Sequence, residues 1–384
     1  MTTILDTDNV FTYLADLGYC QIVDRENIQI DLIPAKNFNL LLTFANGKSL
    51  LVKQELHDDR SQTKGEFHTA WRMQQLLEYF PLGLKIGKFL PELLHFDADN
   101  SILVVNYRDD YQDLYQFYLK EHQFSVEIAR SIGQLLATIH SQTYELSQYQ
   151  QFLTEPADCQ TQSREAHRNR SYARDIIRRL SRITPDVFWR MPLECLQFFR
   201  LYQRFPSLSQ AIADLDRSIV PSCLTHNDLK LNNILLDLQW QSPTSQVISL
   251  IDWERLDWGD PAFDLGCLLG SYLEIWLDGL VIGTTLTIDE SLQLATTPLE
   301  LLQPSLCALV QSYLEGFPAI ILARPDYLDR AIQFAGLAIV QRIEITIDED
   351  RIFGNRGIIM LQIAKQLLCN PQAARPTLFG NNFT

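Results

Sequence analysis

The sequence predicts an α+β protein in two parts: a small β-sheet carrying one main helix, then a larger and mainly helical portion. Three observations carry that reading. Short β-like runs crowd the first hundred residues, two of them joined by the turn dipeptide Asn46-Gly47. After Tyr107 the apolar spacing changes to a helical period. One isolated pair of β-like runs, 232–238 and 247–253, returns inside the helical part. The change of character near residue 107 marks the expected boundary, dividing the chain into 1–106 and 107–384.

The elements follow in order. "TDNVFTYLADLGYC" reads as a short helix capped at Thr7 or Asp8 and ended by Gly18. "IQIDLI", "NFNLLLTF" and "SLLVKQEL" are three strands, the last two forming a hairpin through "ANGK". "GEFHTAWRMQQLLEYF" has helical spacing, and "LPELLHFDADNSILVVNY" is strand, turn and strand. Beyond residue 107, "SVEIARSIGQLLATIHSQT" is an amphipathic helix, and most of 185–215 and 300–370 is helical in period.

Bulk properties narrow the partners. The chain has 384 residues, enough for two lobes or one large domain, with 46% hydrophobic and 21% charged residues, the balance of a globular protein. Its net charge of −15 argues against general binding to nucleic-acid phosphates or an anionic membrane. The seven cysteines, at 20, 159, 195, 223, 267, 307 and 369, form no CxxC pair. They are expected to be reduced, mostly buried thiols in a cytoplasm. The N-terminal stretch has no basic, long-apolar signal pattern, and no run approaches 18 apolar residues, so no membrane span is expected.

Chemistry concentrates in "LTHNDLKLNNILLD", residues 224–237, where polar groups are packed between apolar flanks. A strand enters, a polar loop follows, and a buried strand resumes at residue 234. Asp252 ends the next apolar strand, so a hairpin brings Asn233 and Asp252 side by side. One carboxylate and one amide oxygen suit Mg²⁺, a hard ion that keeps water or phosphate in its remaining positions. Asp228, across the loop, is left to orient or deprotonate an attacking hydroxyl. Such a set points to phosphoryl transfer, in which the protein supplies positioning and charge neutralisation.

The order H-x-D-x-K-x-x-N, followed by a buried strand ending in Asp, resembles the catalytic loop of protein kinases. It is more similar still to the aminoglycoside phosphotransferase and choline kinase family, whose metal-binding segment "LIDWERLDWGDPAFDLG" also resembles. The resemblance implies a bilobal protein-kinase-like fold. Its N-terminal lobe, 1–106, would be a small antiparallel sheet with one main helix that binds the nucleotide. Its C-terminal helical lobe, 107–384, would hold the catalytic loop and the acceptor site. It further implies Asp228 as catalytic base, Asn233 and Asp252 as Mg²⁺ ligands, and Lys230 as the loop lysine that steadies the γ-phosphate of ATP or another NTP. His226 would prop the loop and Asp264 would accept backbone N–H bonds that lock it. Asn227 stands where protein kinases carry an arginine that reads activation-loop phosphate, so no such switch is expected. In the small lobe, Lys53 would touch the α- and β-phosphates with Glu66 as its partner, and backbone at Asn106 and Arg108 would read the purine. The phosphate loop falls at "PAKNFN", which has no glycine; side chains of Lys36, Asn37 or Asn39 would replace close backbone approach, the alternative being an ordinary β-turn.

Three functions fit this set. The first is a kinase of a small-molecule hydroxyl on an aminoglycoside-, choline- or sugar-like acceptor, which the acidic balance would favour if the acceptor is cationic. The second is a Ser/Thr kinase acting on a precursor peptide in ribosomal-peptide (lanthipeptide-type) maturation. It draws on Lys230 and on residues 161–182, which carry seven Arg against two acids. That segment reads as a solvated helix paired with acidic neighbours, or as a dock for an acidic or peptide partner. The third is a catalytically silent nucleotide-binding scaffold.

Overall fold

The computed structural model describes residues 3–21, 28–57, 63–155, 171–184, 188–242, 246–283 and 285–380. Contacts group the chain into two compact units, Met1–Gln112 with Phe152–Asn169 and Leu235–Leu256, and Asp113–Gln151 with Arg170–Ile234 and Asp257–Thr384.

The first unit is built on five antiparallel strands in the order β1-β2-β3-β5-β4: β1 (Ile28–Leu32), β2 (Phe38–Phe44), β3 (Ser49–Gln54), β4 (Leu93–Asp97) and β5 (Ile102–Asn106). Period-two alternation sends Leu40, Leu42, Leu50, Val52, Ile102 and Val104 to one face. There they bury against Leu5 and against Val10 and Leu14 of α1 (Val10–Asp16). The opposite face offers Leu103 and Val105 to Phe67 and Ala70 of α2 (Glu66–Tyr79). The hairpin turn places Gly47 at φ +80°, as the Asn-Gly signal requires. Helix α1 starts later than the sequence suggested. Its cap position is Asn9, and the Asp6 carboxylate accepts from the N–H groups of Asp8 and Asn9, so the acid one turn earlier closes the helix start. After α3 (Leu82–Ile86) and β5, a second sheet in the order β6-β8-β9 uses β6 (Tyr111–Asp113), β8 (Ile234–Asp237) and β9 (Ile248–Leu250).

The second unit holds α4 (Leu114–Glu121), α5 (Val126–Thr143), α6 (Ser147–Thr154, whose end joins the first unit), α7 (Tyr172–Ser181), α8 (Leu193–Tyr202) and α9 (Pro206–Ser218). A two-stranded ribbon of β7 (Cys223–Thr225) and β10 (Asp257–Gly259) follows. Then come α10 (Pro261–Asp278), α11 (Ile288–Gln293), α12 (Leu299–Gly316), α13 (Ala319–Ala323), α14 (Tyr327–Asp350), α15 (Asn355–Cys369) and α16 (Pro371–Phe379). Two glycines set how closely the long helices approach. A Cβ on Gly133 of α5 would stand 2.4 Å from the Leu309 carbonyl oxygen of α12, and one on Gly266 of α10 would stand 2.6 Å from the Ala331 carbonyl oxygen of α14. Of the six described cysteines, only Cys223 is fully buried; the other five are partly exposed, so burial of the thiols is less complete than expected. Cys159 lies outside the described residues.

Candidate active site

Lys53 lies on β3, on the face turned to α2, where its ammonium is 5.1 Å from the centre of the Phe67 ring. It is held by two carboxylates, Asp252 at 3.1 Å and Glu254 at 2.6 Å. Local backbone makes this possible. Asp252 adopts a left-handed conformation at φ +69°, an uncommon state for a residue with a side chain. It thereby opens the short 3₁₀ turn Trp253–Arg255, which brings Glu254 back onto the same lysine. Burial opposes the charge on Lys53, but the two carboxylates outweigh it and hold its pKa above that of an ordinary lysine. For Glu254, burial and the adjacent Asp252 prevail over the pull of Lys53 and raise the pKa to about 7.

Glu66, the expected partner of Lys53, is engaged elsewhere. The Lys36 ammonium sits 2.5 Å from its carboxylate. Lys53 already has two carboxylates at the end of β9, and the exposed Lys36 takes the acid that opens α2. Asn37 is partly buried in the bend before β2. Asn39 faces Lys53 directly across the β2–β3 pair, buried, with its Oδ1 unpartnered in the structure. At the expected purine-reading segment, the Asn106 N–H donates to the Glu92 carbonyl (2.9 Å), and the Tyr107 N–H to that of Ser49 (3.0 Å). Sheet pairing thus claims the Asn106 N–H within the segment whose backbone was expected to read the purine. The Arg108 guanidinium donates to the Lys88 and Leu90 carbonyls and lies over the Tyr111 ring.

In the second unit, β7 delivers the loop 226–233. Asp264, buried in the first turn of α10, accepts from the His226 N–H (2.7 Å) and the Asn227 N–H (2.8 Å), one per carboxylate oxygen. Asn227 turns the chain at φ +62° and returns its side-chain amide to Thr225 Oγ1 (2.9 Å). The Asp228 N–H points at His226 Nδ1 (3.3 Å), and Asn233 Nδ2 donates to the Asp228 carbonyl (2.8 Å). Lys230 Nζ stands 3.5 Å from Asp228 Oδ2, and the Leu231 N–H donates to Ser271 Oγ (3.0 Å). Behind Asp264 runs a fully buried polar chain: His140 Nε2 at 3.3 Å, then His140 Nδ1 to the Tyr313 hydroxyl at 2.9 Å, then the Tyr327 hydroxyl at 2.8 Å. Asp260 caps α10 at the Ala262 N–H and takes Arg324 and Arg330 as ion partners.

Sequence reasoning missed Glu254, His140, Tyr313 and Ser271. Glu254 could have been found, since a second acid two residues after Asp252 is a plain signal; so could His140, a lone histidine on the apolar face of α5. In the first unit Asp252 and Glu254 offer carboxylate oxygens, the donor type that suits a hard divalent ion. In the second, Asn233 spends its amide N–H on the loop and keeps Oδ1. Among the described residues no cluster of three or more His, Cys, Asp or Glu side chains could hold a metal.

The model of the phosphotransferase enzyme family matches residues 90–296, more than half of the chain. The chain belongs to the phosphotransferase enzyme family. Its matched part contains the loop 226–233, Asp252 and Asp264, and the protein is accordingly an enzyme of the kinase and phosphotransferase kind. Among solved structures, an ethanolamine kinase of Plasmodium vivax is similar at TM-score 0.56 and 11% identity, over 94% of this chain and 90% of that one. An amicoumacin kinase, solved in complex with AMP-PNP, Ca²⁺ and Ami, is similar at TM-score 0.50 and 13% identity, over 95% of this chain and 93% of that one. At such identities the likeness speaks for the fold, an α+β arrangement of antiparallel sheet and helical part that this phosphotransferase shares. A comparison with the curated proteins finds no match.

Residues 161–170 of the arginine-rich segment fall outside the described residues. In α7, Arg174 meets Asp216 (3.4 Å), Arg178 meets Asp175 (3.1 Å) and Arg179 meets Glu344 (3.6 Å). These arginines are paired with acids of their own unit, which favours the solvated helix over a docking patch for a peptide or acidic partner. No helix among the described residues is long and apolar enough to cross a membrane.

Proposed function

We propose that this phosphotransferase moves the γ-phosphate of ATP to a hydroxyl of a small molecule of aminoglycoside-, choline- or sugar-like kind. The observation that carries the reading is the loop 226–233. Its backbone is clamped by Asp264 and its own amides, and it presents Asp228 and Lys230 together. Asp228 accepts the proton of the acceptor hydroxyl as the new oxygen–phosphorus bond forms and the bond to the β-phosphate breaks, releasing ADP. Lys230 steadies the phosphoryl oxygens in transit. Lys53 holds the α- and β-phosphates, exchanging part of its contact with Asp252 and Glu254 for them, and Asn37 lies beside the phosphate turn. The Asn106 carbonyl and the backbone of Arg108 receive the base. Mg²⁺, held by Asn233 and Asp252, would neutralise the charge that develops between the phosphates. Residues 1–106 then serve the nucleotide and 107–384 the acceptor. The names of the two kinases it resembles in fold, an ethanolamine kinase and an amicoumacin kinase, support a small-molecule acceptor. The scattered cysteines, with no CxxC spacing, suit a reducing cytoplasm.

The test is incubation of the purified chain with Mg²⁺ and [γ-³²P]ATP against a panel of hydroxylated small molecules. Label in at least one of them is expected. Nucleotide binding with no labelled product from any acceptor would return the scaffold reading.

A further inference from the structure

The second unit contains a cavity of about 390 Å³ where the ends of three long helices meet. Asp278, the last residue of α10, and Asp350, the last residue of α14, line it. A carboxylate at a helix C-terminus is electrostatically unfavourable, because the exposed carbonyls there already carry partial negative charge. Here two such ends place acids on the lining of one cavity, and the Asp278 carboxylate also accepts from the Tyr115 hydroxyl (2.9 Å). The other wall is the start of α15, where Gly354, Asn355 and Arg356 line the cavity and no acid lies in the first turn; the Arg356 guanidinium also donates to the Leu280 carbonyl (3.3 Å). Arg342 of α14 adds a second guanidinium. The cavity is therefore dipolar, its two acids matched by two arginines inside a chain of net charge −15.

The rest of the lining is chiefly aliphatic, and no aromatic ring lines the cavity among the described residues. Quaternary ammonium groups are recognised by faces of aromatic rings, and this wall has none to offer. A polycation would meet Arg342 and Arg356. A neighbouring cavity of about 180 Å³ shares Ile282 and Asn355 with the first and is lined mostly by aliphatic side chains, leaving room for an apolar portion. The cavity is also tied to the loop 226–233. The Leu231 N–H of that loop donates to Ser271 Oγ (3.0 Å), and Ser271 lies two turns before Asp278 on α10.

We propose that this cavity is the acceptor pocket and that the acceptor is a hydroxylated zwitterion, its ammonium set toward Asp278 and Asp350 and its carboxylate toward Arg356. The inference rests on the phosphotransfer reading and narrows its acceptor. Binding is measured by calorimetry with four probes: seryl-leucine, L-homoserine, choline and kanamycin. At least one zwitterion is expected to bind ten times more tightly than choline or kanamycin. That advantage should fall about tenfold in Arg356→Gln and in Asp350→Asn, two substitutions at the rim of the cavity that keep its shape. Preference for choline or kanamycin, equal affinity for all four, no binding of any probe, or an advantage untouched by both substitutions would overturn the proposal. Transfer of labelled phosphate is scored separately. Selective zwitterion binding without transfer supports the pocket and counts against the phosphotransfer reading, whereas transfer to choline alone supports that reading and overturns the pocket.

Discussion

Lys53 shows how a single side chain can be placed by distant sequence. Its position at the end of an apolar strand was readable, but its partners were not, because Asp252 and Glu254 lie 199 and 201 residues away. Replacing it with methionine should raise the KM for ATP tenfold or more and leave two carboxylates facing each other. That repulsion is relieved when Glu254 takes a proton. Because burial, with Asp252 beside it, already lifts its pKa to about 7 even with Lys53 present, the stability lost by Lys53→Met is expected to be larger at pH 8 than at pH 6. Melting curves at the two values check the order; an equal loss at both would show that Glu254 does not titrate there. His140 is a second residue-scale case. It supports Asp264 from behind and touches none of the residues assigned to the transferred phosphate. His140→Ala is expected to lower kcat about ten- to a hundredfold, as small misplacements of catalytic groups do, with the KM for ATP little changed. A KM that rises while kcat stays constant would contradict a role in positioning the loop.

Among the elements, legibility followed length and local signal. The β2–β3 hairpin was readable from Asn46-Gly47, and α5 from its apolar stripe, because both are set by near neighbours. The three-residue strands β6 and β10 were not, since three residues cannot display a period and their pairing is decided by tertiary context. The start of α1 slipped from Thr7 or Asp8 to Asn9 for a related reason: Asp6, Asp8 and Asn9 all compete to cap the same turn. Helix approach is a packing matter that sequence pattern does not show at all. Gly266→Ala would drive a methyl group against the Ala331 carbonyl and Phe334 of α14. The expected cost is about 1–3 kcal/mol, typical of overpacking against backbone. Urea titration measures it, and an unchanged midpoint would mean that α10 and α14 can separate freely.

For the molecule as a whole, the fold class was legible because the change from strand-like to helical patterning near residue 107 is large and only one pair of β-like runs returns after it. The compact units were less so, as residues 235–256 group with the first hundred residues although they lie deep in the helical half. Charge has a consequence at this scale. Burial raises Glu254, Glu274 and Glu344 to about 7 and Asp257 to about 6. Between about pH 4.5 and 7 the folded state therefore keeps protons that the unfolded chain gives up, so stability declines as pH rises through that window. A net charge of −15 adds self-repulsion in the same direction. The melting temperature should be lower at pH 8 than at pH 6 by about 2 °C or more; a rise instead would show that these acids are paired more favourably than the structure indicates.

The central claim is that Asp228 removes the acceptor proton during phosphoryl transfer. Its most direct test is single-turnover transfer from [γ-³²P]ATP, at saturating Mg²⁺ and acceptor, by the wild-type chain and by Asp228→Asn with matched melting temperature. A rate at least about 10²-fold slower in the variant is predicted, in line with loss of a positioned base. Equal rates would contradict it.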